Sequence, residues 1–155
     1  MLTTFLLDSA IQHVAPNDGA TTTYTLAAGT TDVNSVAVDL QGIGPVSLTF
    51  LAVFGTNVDT GTFTWKLQSS DDNSTWADVT NATQSFTDAS ANTANKMLGI
   101  GTTNPTKRYY RVAIDRGVAN TVINALLAIM GQPRAKPYTQ LTTAGQFIAA
   151  PVSVA

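Results

Sequence analysis

The stretch Phe63 to Val79, FTWKLQSSDDNSTWADV, restricts what this chain can fold into more than any other. Phe63, Trp65, Leu67 and Ser69 alternate with Thr64, Lys66, Gln68 and Ser70. A period of two belongs to a strand with one buried face and one solvated face. Ser70-Asp71-Asp72-Asn73-Ser74 then places polar turn formers in succession. Asn is one of the few side chains that tolerate a left-handed backbone, and Asp carboxylates close Asx-turns. Trp76 and Val79 restart an apolar run after the turn, so the stretch reads as a β-hairpin with an indole on each arm. It organises an all-β domain and specifies no reaction.

A chain of 155 residues fits one domain with an extra segment. Only 12% of its residues are charged and the net charge is -2, so neither sign builds a strong field and nucleic acid is not an expected partner. All 10 acidic residues are Asp. Asp favours turns and caps where Glu favours helices, which again argues for strands and loops. Few charges beside 44% hydrophobic residues suggest that another protein covers much of the surface. The absence of Cys excludes disulfides, Cys metal sites and thiol catalysis. The start, MLTTFLLDSAIQHV, has no basic n-region and its apolar run is cut by Asp8, so a secretory signal is not expected. No apolar run approaches the roughly 18 residues a bilayer span needs, and no membrane partner is expected.

Residues 1–19 read as an N-terminal arm or edge strand, 20–131 as a β-sandwich domain and 132–155 as an extended C-terminal arm. Within the domain, Thr22 to Leu26 and Ser35 to Leu40 read as short strands, the second closed by the loop Gly42-Ile43-Gly44-Pro45. Val46 to Phe54 begins with alternation and becomes apolar on both faces at Leu51 and Val53, which fits a sandwich interior or a subunit contact. Thr80 to Asn95 reads as a long loop, Lys96 to Ile100 as a short strand, Gly101 to Thr106 as a turn, and Lys107 to Asp115 as a strand with Tyr110, Val112 and Ile114 inward. Thr121 to Met130 fits helix spacing through Ile123, Leu126, Leu127 and Met130, and equally fits a strand apolar on both faces. A strand here would pair back on Lys107 to Asp115 as a hairpin, and strand is the preferred reading. Beyond Gln132 periodicity disappears, and Tyr138, Leu141, Phe147, Ile148 and Val152 stand as scattered apolar anchors that want another surface.

No constellation in the chain carries catalysis. His13 is the only histidine and no G-x-S-x-G elbow accompanies it, so a packing or surface role is expected. Asp71-Asp72-Asn73 reads as a solvated turn, since EF-hand spacing is absent and no Glu can supply the bidentate ligand. Asn73-Ser74-Thr75 and Asn81-Ala82-Thr83 match the glycosylation pattern by chance in an Asn- and Thr-rich chain. Trp65 and Tyr110 fall on buried faces, leaving Trp76 and Tyr109 as the aromatics open to a ligand such as a sugar. Lys107, Arg108, Arg111 and Arg116 are expected to pair with Asp or with a partner's acids.

WKLQSSDDNSTWADV followed by RYYRVAI resembles a strand-turn-strand and return strand of discoidin-type β-sandwiches, over Trp65 to Val79 and Arg108 to Ile114, with no binding residue carried over. The ordered set VAVDLQGIGPVSLTFLAVFG, GTFTWKLQSSDDNSTWADV, KRYYRVAI and an apolar strand ending in GQPRAKP covers Val36 to Pro137. That set is similar to capsid decoration (cement) proteins and minor head proteins of tailed bacteriophages. The resemblance implies an all-β, β-sandwich or jelly-roll-like domain with extended N- and C-terminal arms. It implies a non-enzymatic virion protein, without cofactor or metal, assembled in the host cytoplasm onto the capsid surface. Its partners would be the major capsid protein and itself, as a homotrimer. The expected interface residues are Tyr138, Leu141, Phe147, Ile148, Val152 and Arg134 in the C-terminal arm, with Phe5, Leu6 and Leu7 in the N-terminal one. The alternative is a carbohydrate-binding β-sandwich module of a phage fibre or surface protein, with a glycan as partner through Trp76 and Tyr109.

Overall fold

The computed structural model describes residues 9–14, 16–17, 26, 29–56, 61–87, 93–116 and 121–132. The elements among them are strands: β1 (Ser9–His13), β2 (Pro16–Asn17), β3 (Val33–Ser35), β4 (Val38–Asp39), β5 (Ser47–Phe54), β6 (Phe63–Ser70), β7 (Ala77–Phe86), β8 (Met97–Thr103), β9 (Tyr109–Asp115) and β10 (Ile123–Gly131). They form two antiparallel sheets. One has four strands in the order β1-β10-β5-β8. The other has six, in the order β2-β3-β9-β6-β7, with β4 also on β9. The fold is a β-sandwich.

Period-two alternation builds the core from both layers. From the four-stranded sheet come Leu48, Phe50, Ala52 and Phe54 of β5 with Leu126, Ala128 and Met130 of β10. The six-stranded sheet contributes Phe63, Trp65 and Leu67 of β6 with Tyr110, Val112 and Ile114 of β9. Phe54 bridges the layers, meeting Phe63 edge-on at 5.3 Å and Trp65 at 6.3 Å between ring centres. Trp65 is fully buried, and its indole N–H donates to the Gln84 side-chain oxygen at 2.6 Å. Tyr110 keeps its ring in the core while its hydroxyl accepts the backbone N–H groups of Thr106 and Lys107. An aromatic with a polar tip thereby pins a loop to the layer beneath it.

The hairpin at Phe63 to Val79 forms as its residues require. Asn73 takes φ 59°, and the Asp72 carboxylate accepts the N–H groups of Ser74 and Thr75 at 2.9 and 2.8 Å. Other expectations need correction. Thr80 to Asn95 is not loop throughout, because β7 continues to Phe86 and pairs Thr83, Gln84 and Ser85 with Lys66, Trp65 and Thr64. As an edge strand with a solvated face, β7 needs little apolar content, and Thr suits a pleated surface. A register shift opposite Lys66 to Gln68, with Asn81 at φ 61°, interrupts the pattern that would have announced it.

Ser35 to Leu40 is two short strands, not one. β3 and β4 pair with β9 in registers one residue apart, and Ser35 repairs the break: its hydroxyl accepts the Val112 N–H at 3.0 Å and donates to the Val36 carbonyl. β8 runs three residues further than expected, to Thr103, and Gly101 permits it. A Cβ there would lie 2.4 Å from the Leu48 carbonyl oxygen.

The largest correction concerns residues 121–130. They are a strand, but β10 pairs with β1 and β5 and not with β9. Both edges of β9 are already taken, by β3 and β4 on one side and β6 on the other. The chain crosses to the opposite sheet at Arg116, which is 5% exposed. Its Nε donates to the Thr31 carbonyl at 2.7 Å, its Nη1 to the Thr121 carbonyl, and its backbone N–H to the Asp32 carboxylate.

Candidate interaction surface

The two sheets turn different faces outward. On the six-stranded sheet, alternation sends Thr64, Lys66, Gln68, Arg111, Ala113 and Asp115 away from the core, around a groove of about 570 Å³. Its polar groups are tied to one another. Lys66 Nζ lies 2.8 Å from Asp78 Oδ2, Gln68 Nε2 donates to Asp78 Oδ1 at 2.8 Å, and Arg111 Nε donates to Gln68 Oε1 at 2.9 Å. Hydrogen bonds from Lys66 and then Gln68 hold the Asp78 carboxyl below its ordinary value. Partial burial lowers the pKa of Arg111, whose guanidinium covers the Trp76 ring at 4.2 Å. Arg108 pairs with Asp39 through two hydrogen bonds of 2.9 and 2.8 Å and lies 4.7 Å from the Tyr109 ring centre. Lys107 pairs with Asp71. The basic residues singled out in the sequence are thus engaged within the chain, and both candidate sugar aromatics have a ring face under a guanidinium.

The four-stranded sheet is the opposite case. None of its strands contains Asp, Glu, Lys or Arg. Register lines its outward residues into rows across the sheet: Ile11, Ile129, Thr49 and Gly101; then Leu127, Leu51 and Gly99; then Ala125, Val53 and Met97. Ile11, Leu51, Val53, Ala125, Leu127 and Ile129 are half-buried, and Met97 is 65% exposed. Ridges of aliphatic side chains lie beside a glycine floor on β8. His13 is the one titratable residue in its strands. The face can exclude water from a second apolar surface.

The interface residues expected from sequence, Phe5, Leu6, Leu7, Arg134, Tyr138, Leu141, Phe147, Ile148 and Val152, lie outside the described residues. The structure does place their points of attachment. Ser9, where the N-terminal segment joins β1, is the register partner of Gly131, where β10 ends. Both terminal segments therefore meet the sandwich at one corner of the four-stranded sheet. Sequence reasoning raised a subunit contact at Val46 to Phe54 alone and missed the face that β5 and β10 form together, although both were legible as apolar on two sides. His13 lies in β1 opposite Leu127. Among the described residues no three His, Asp or Glu side chains are grouped as a metal would require. The Asp72 carboxylate, the best oxygen donor of the turn, is occupied by Ser70, Ser74 and Thr75.

No protein-family model and no curated protein matches the chain. Solved structures do resemble it. The PBSX exported protein XepA aligns over 91% of this chain and 43% of its own at 16% identity, with a TM-score of 0.49. This chain therefore spans less than half the length of XepA. The C-terminal family 22 carbohydrate binding module of Clostridium thermocellum Xyn10B aligns over 81% of this chain and 82% of its own at 14% identity and TM-score 0.40. The Tobacco streak virus coat protein aligns over 94% of this chain and 100% of its own at 10% identity and TM-score 0.38. These likenesses are of fold only, and what the chain binds is argued from its own surface.

Proposed function

We propose that this chain is a non-enzymatic structural protein of a virion that decorates a bacteriophage capsid and stabilises it by binding across neighbouring shell subunits. One observation carries the reading: the charge-free apolar outer face of the four-stranded sheet, with both terminal segments joined at one corner of it. Each ~100 Å² of apolar surface removed from water contributes roughly 2.5 kcal/mol before ordering costs. Modest contacts of this kind become firm when symmetry repeats them, because later sites bind at the effective concentration set by the first. The order of motifs from Val36 to Pro137, similar to capsid decoration proteins, supports the same reading.

The second reading, a carbohydrate-binding module, has the polar groove in its favour. Against it, the groove's polar groups are tied to one another, and Arg111 covers a face of Trp76. Coexpression with the major capsid protein of the phage whose genome encodes this chain separates the two. The chain should sediment with purified shells and raise the temperature at which they rupture. Failure to bind shells, together with glycan-array binding lost in Trp76→Ala, would replace the first reading with the second.

A further inference from the structure

We propose that the outer face of the four-stranded sheet is the seat of the C-terminal segment, residues 138–152, of a second copy of this chain. The inference rests on the structural reading above only in taking this face to be covered when the protein is in use. The occupant follows from chemistry, from charge placement and from reach.

The face carries no formal charge in any of its strands, Leu51, Val53, Leu127 and Ile129 dominate its centre, and Met97 stands exposed at its β8 edge. A charged partner would lose its hydration there without recovering an ion pair. Residues 137–155, PYTQLTTAGQFIAAPVSVA, form an uncharged run that carries Tyr138, Leu141, Phe147, Ile148 and Val152. The two surfaces match in kind.

Between that run and the sandwich stands a short stem of different character. Gln132 takes φ 49°, which turns the backbone out of the line of β10. Pro133-Arg134-Ala135-Lys136-Pro137 follows. Two prolines in five residues oppose a helix and favour an extended spacer. Two cations cannot lie on an apolar face without desolvation, so the stem is suited to solvent and not to its own sheet. Reach points the same way. From Gly131 to Ala125 the face is about 20 Å long at roughly 3.3 Å per strand residue. From Gln132 to Phe147 the chain can extend about 50 Å. The bulkiest anchors can therefore reach past their own face to that of a neighbour. Reciprocal exchange of this kind closes a symmetric oligomer in which every face is covered once.

The chain has no Cys, so the test can use introduced ones without interference. Full-length Leu51→Cys and full-length Phe147→Cys are purified separately, mixed, and treated with a short bismaleimide that tolerates a shift in register. Exchange between copies predicts a covalent heterodimer in the mixture, well above the homodimer formed by either protein alone. Light scattering should give an oligomer for the unmodified chain, and a monomer for Phe147→Asp, a substitution outside the described strands. Cross-linking of Leu51→Cys only with itself would mean that two sheets meet directly, and overturns the proposal. So does a double variant that links only within a monomer, which would place the segment on its own sheet. Self-association that survives while shells are not bound would remove the capsid reading and leave this inference standing. Shell binding by a chain that shows no cross-link between copies would do the reverse.

Discussion

The inner faces of the two sheets are made alike, and the outer faces could hardly differ more. Leu48, Phe50 and Ala52 in one layer and Trp65, Leu67 and Val112 in the other all vanish into a common core. Turned outward, the six-stranded sheet shows Lys66, Gln68, Asp78 and Arg111 linked by hydrogen bonds, whereas the four-stranded sheet shows Leu51, Val53, Leu127 and Ile129. A solvated face satisfies its own polar groups because water competes for each of them and leaves little net gain. An apolar outer face has no comparable purpose in an isolated domain. The contrast teaches that burial within the chain and apolarity of a strand are separate quantities, and that their mismatch marks a surface made for something else.

The largest effect should come from comparing one residue on each side of that divide. Trp65→Ala should cost about 3–5 kcal/mol, because a fully packed indole is lost and the Gln84 side chain loses its donor. Leu51→Ser should cost less than about 1 kcal/mol in the isolated chain, since only partial burial is removed. Urea melts of the two variants measure both. If Leu51→Ser unfolds the chain as readily as Trp65→Ala, the outer face belongs to the chain's own core and the comparison breaks.

A second test sharpens the comparison within the six-stranded sheet, between its hydrogen-bonded seam and its solvated face. Ser35→Ala removes the acceptor of the Val112 N–H where β3 and β4 change register along β9. A buried strand amide left without a partner costs about 1–3 kcal/mol. Lys66→Ala removes an exposed ion pair and should cost at most about 1 kcal/mol. Amide exchange at Val112 should quicken in the first variant and stay unchanged in the second. Equal melting curves for both would mean that the Ser35 bond adds nothing to the seam.

What could be read from the residues follows the range of the interactions involved. The β6–β7 hairpin was legible because alternation, Asn73 and the Asp72 turn are all local. The burial of Trp65 and Tyr110 followed from the same alternation. The pairing of β10 was not legible, because it depends on both edges of β9 being filled by strands far away in the sequence. The continuation of β7 through Thr80 to Phe86 was hidden by a bulge, which breaks the period on which strand reading rests. Leu51 and Leu127 each signalled a second apolar face, yet only register could put them side by side. The meeting of the two termini at Ser9 and Gly131 is likewise a product of pairing, invisible in either end of the sequence.

The smallest effect concerns acid, and it should fall on one outer face only. Asp72 is held well below the ordinary carboxyl value of 3.8, first by the Thr75 and Ser74 N–H groups. Asp78 is lowered by hydrogen bonds from Lys66 and Gln68, and Asp39 by the Arg108 guanidinium. Each group binds its proton less readily when folded than when unfolded. Its contribution is therefore fully present above about pH 4 and is lost as pH falls through the lower folded value. All three are exposed, so each loss is modest and solvent screens it. Melting temperatures taken from pH 7 to pH 2 should decline below pH 4. Asp72→Asn should melt lower than the unmodified chain at pH 7, and the gap should narrow steadily between pH 4 and pH 2. Parallel curves would mean that the turn carboxylate contributes nothing through its charge. The strands of the four-stranded sheet contain no Asp, Glu, Lys or Arg, so association through its outer face at pH 7 should be insensitive to salt screening. Dissociation of the oligomer by moderate salt at pH 7 would show that charged groups hold it together, and the polar face would then be the contact.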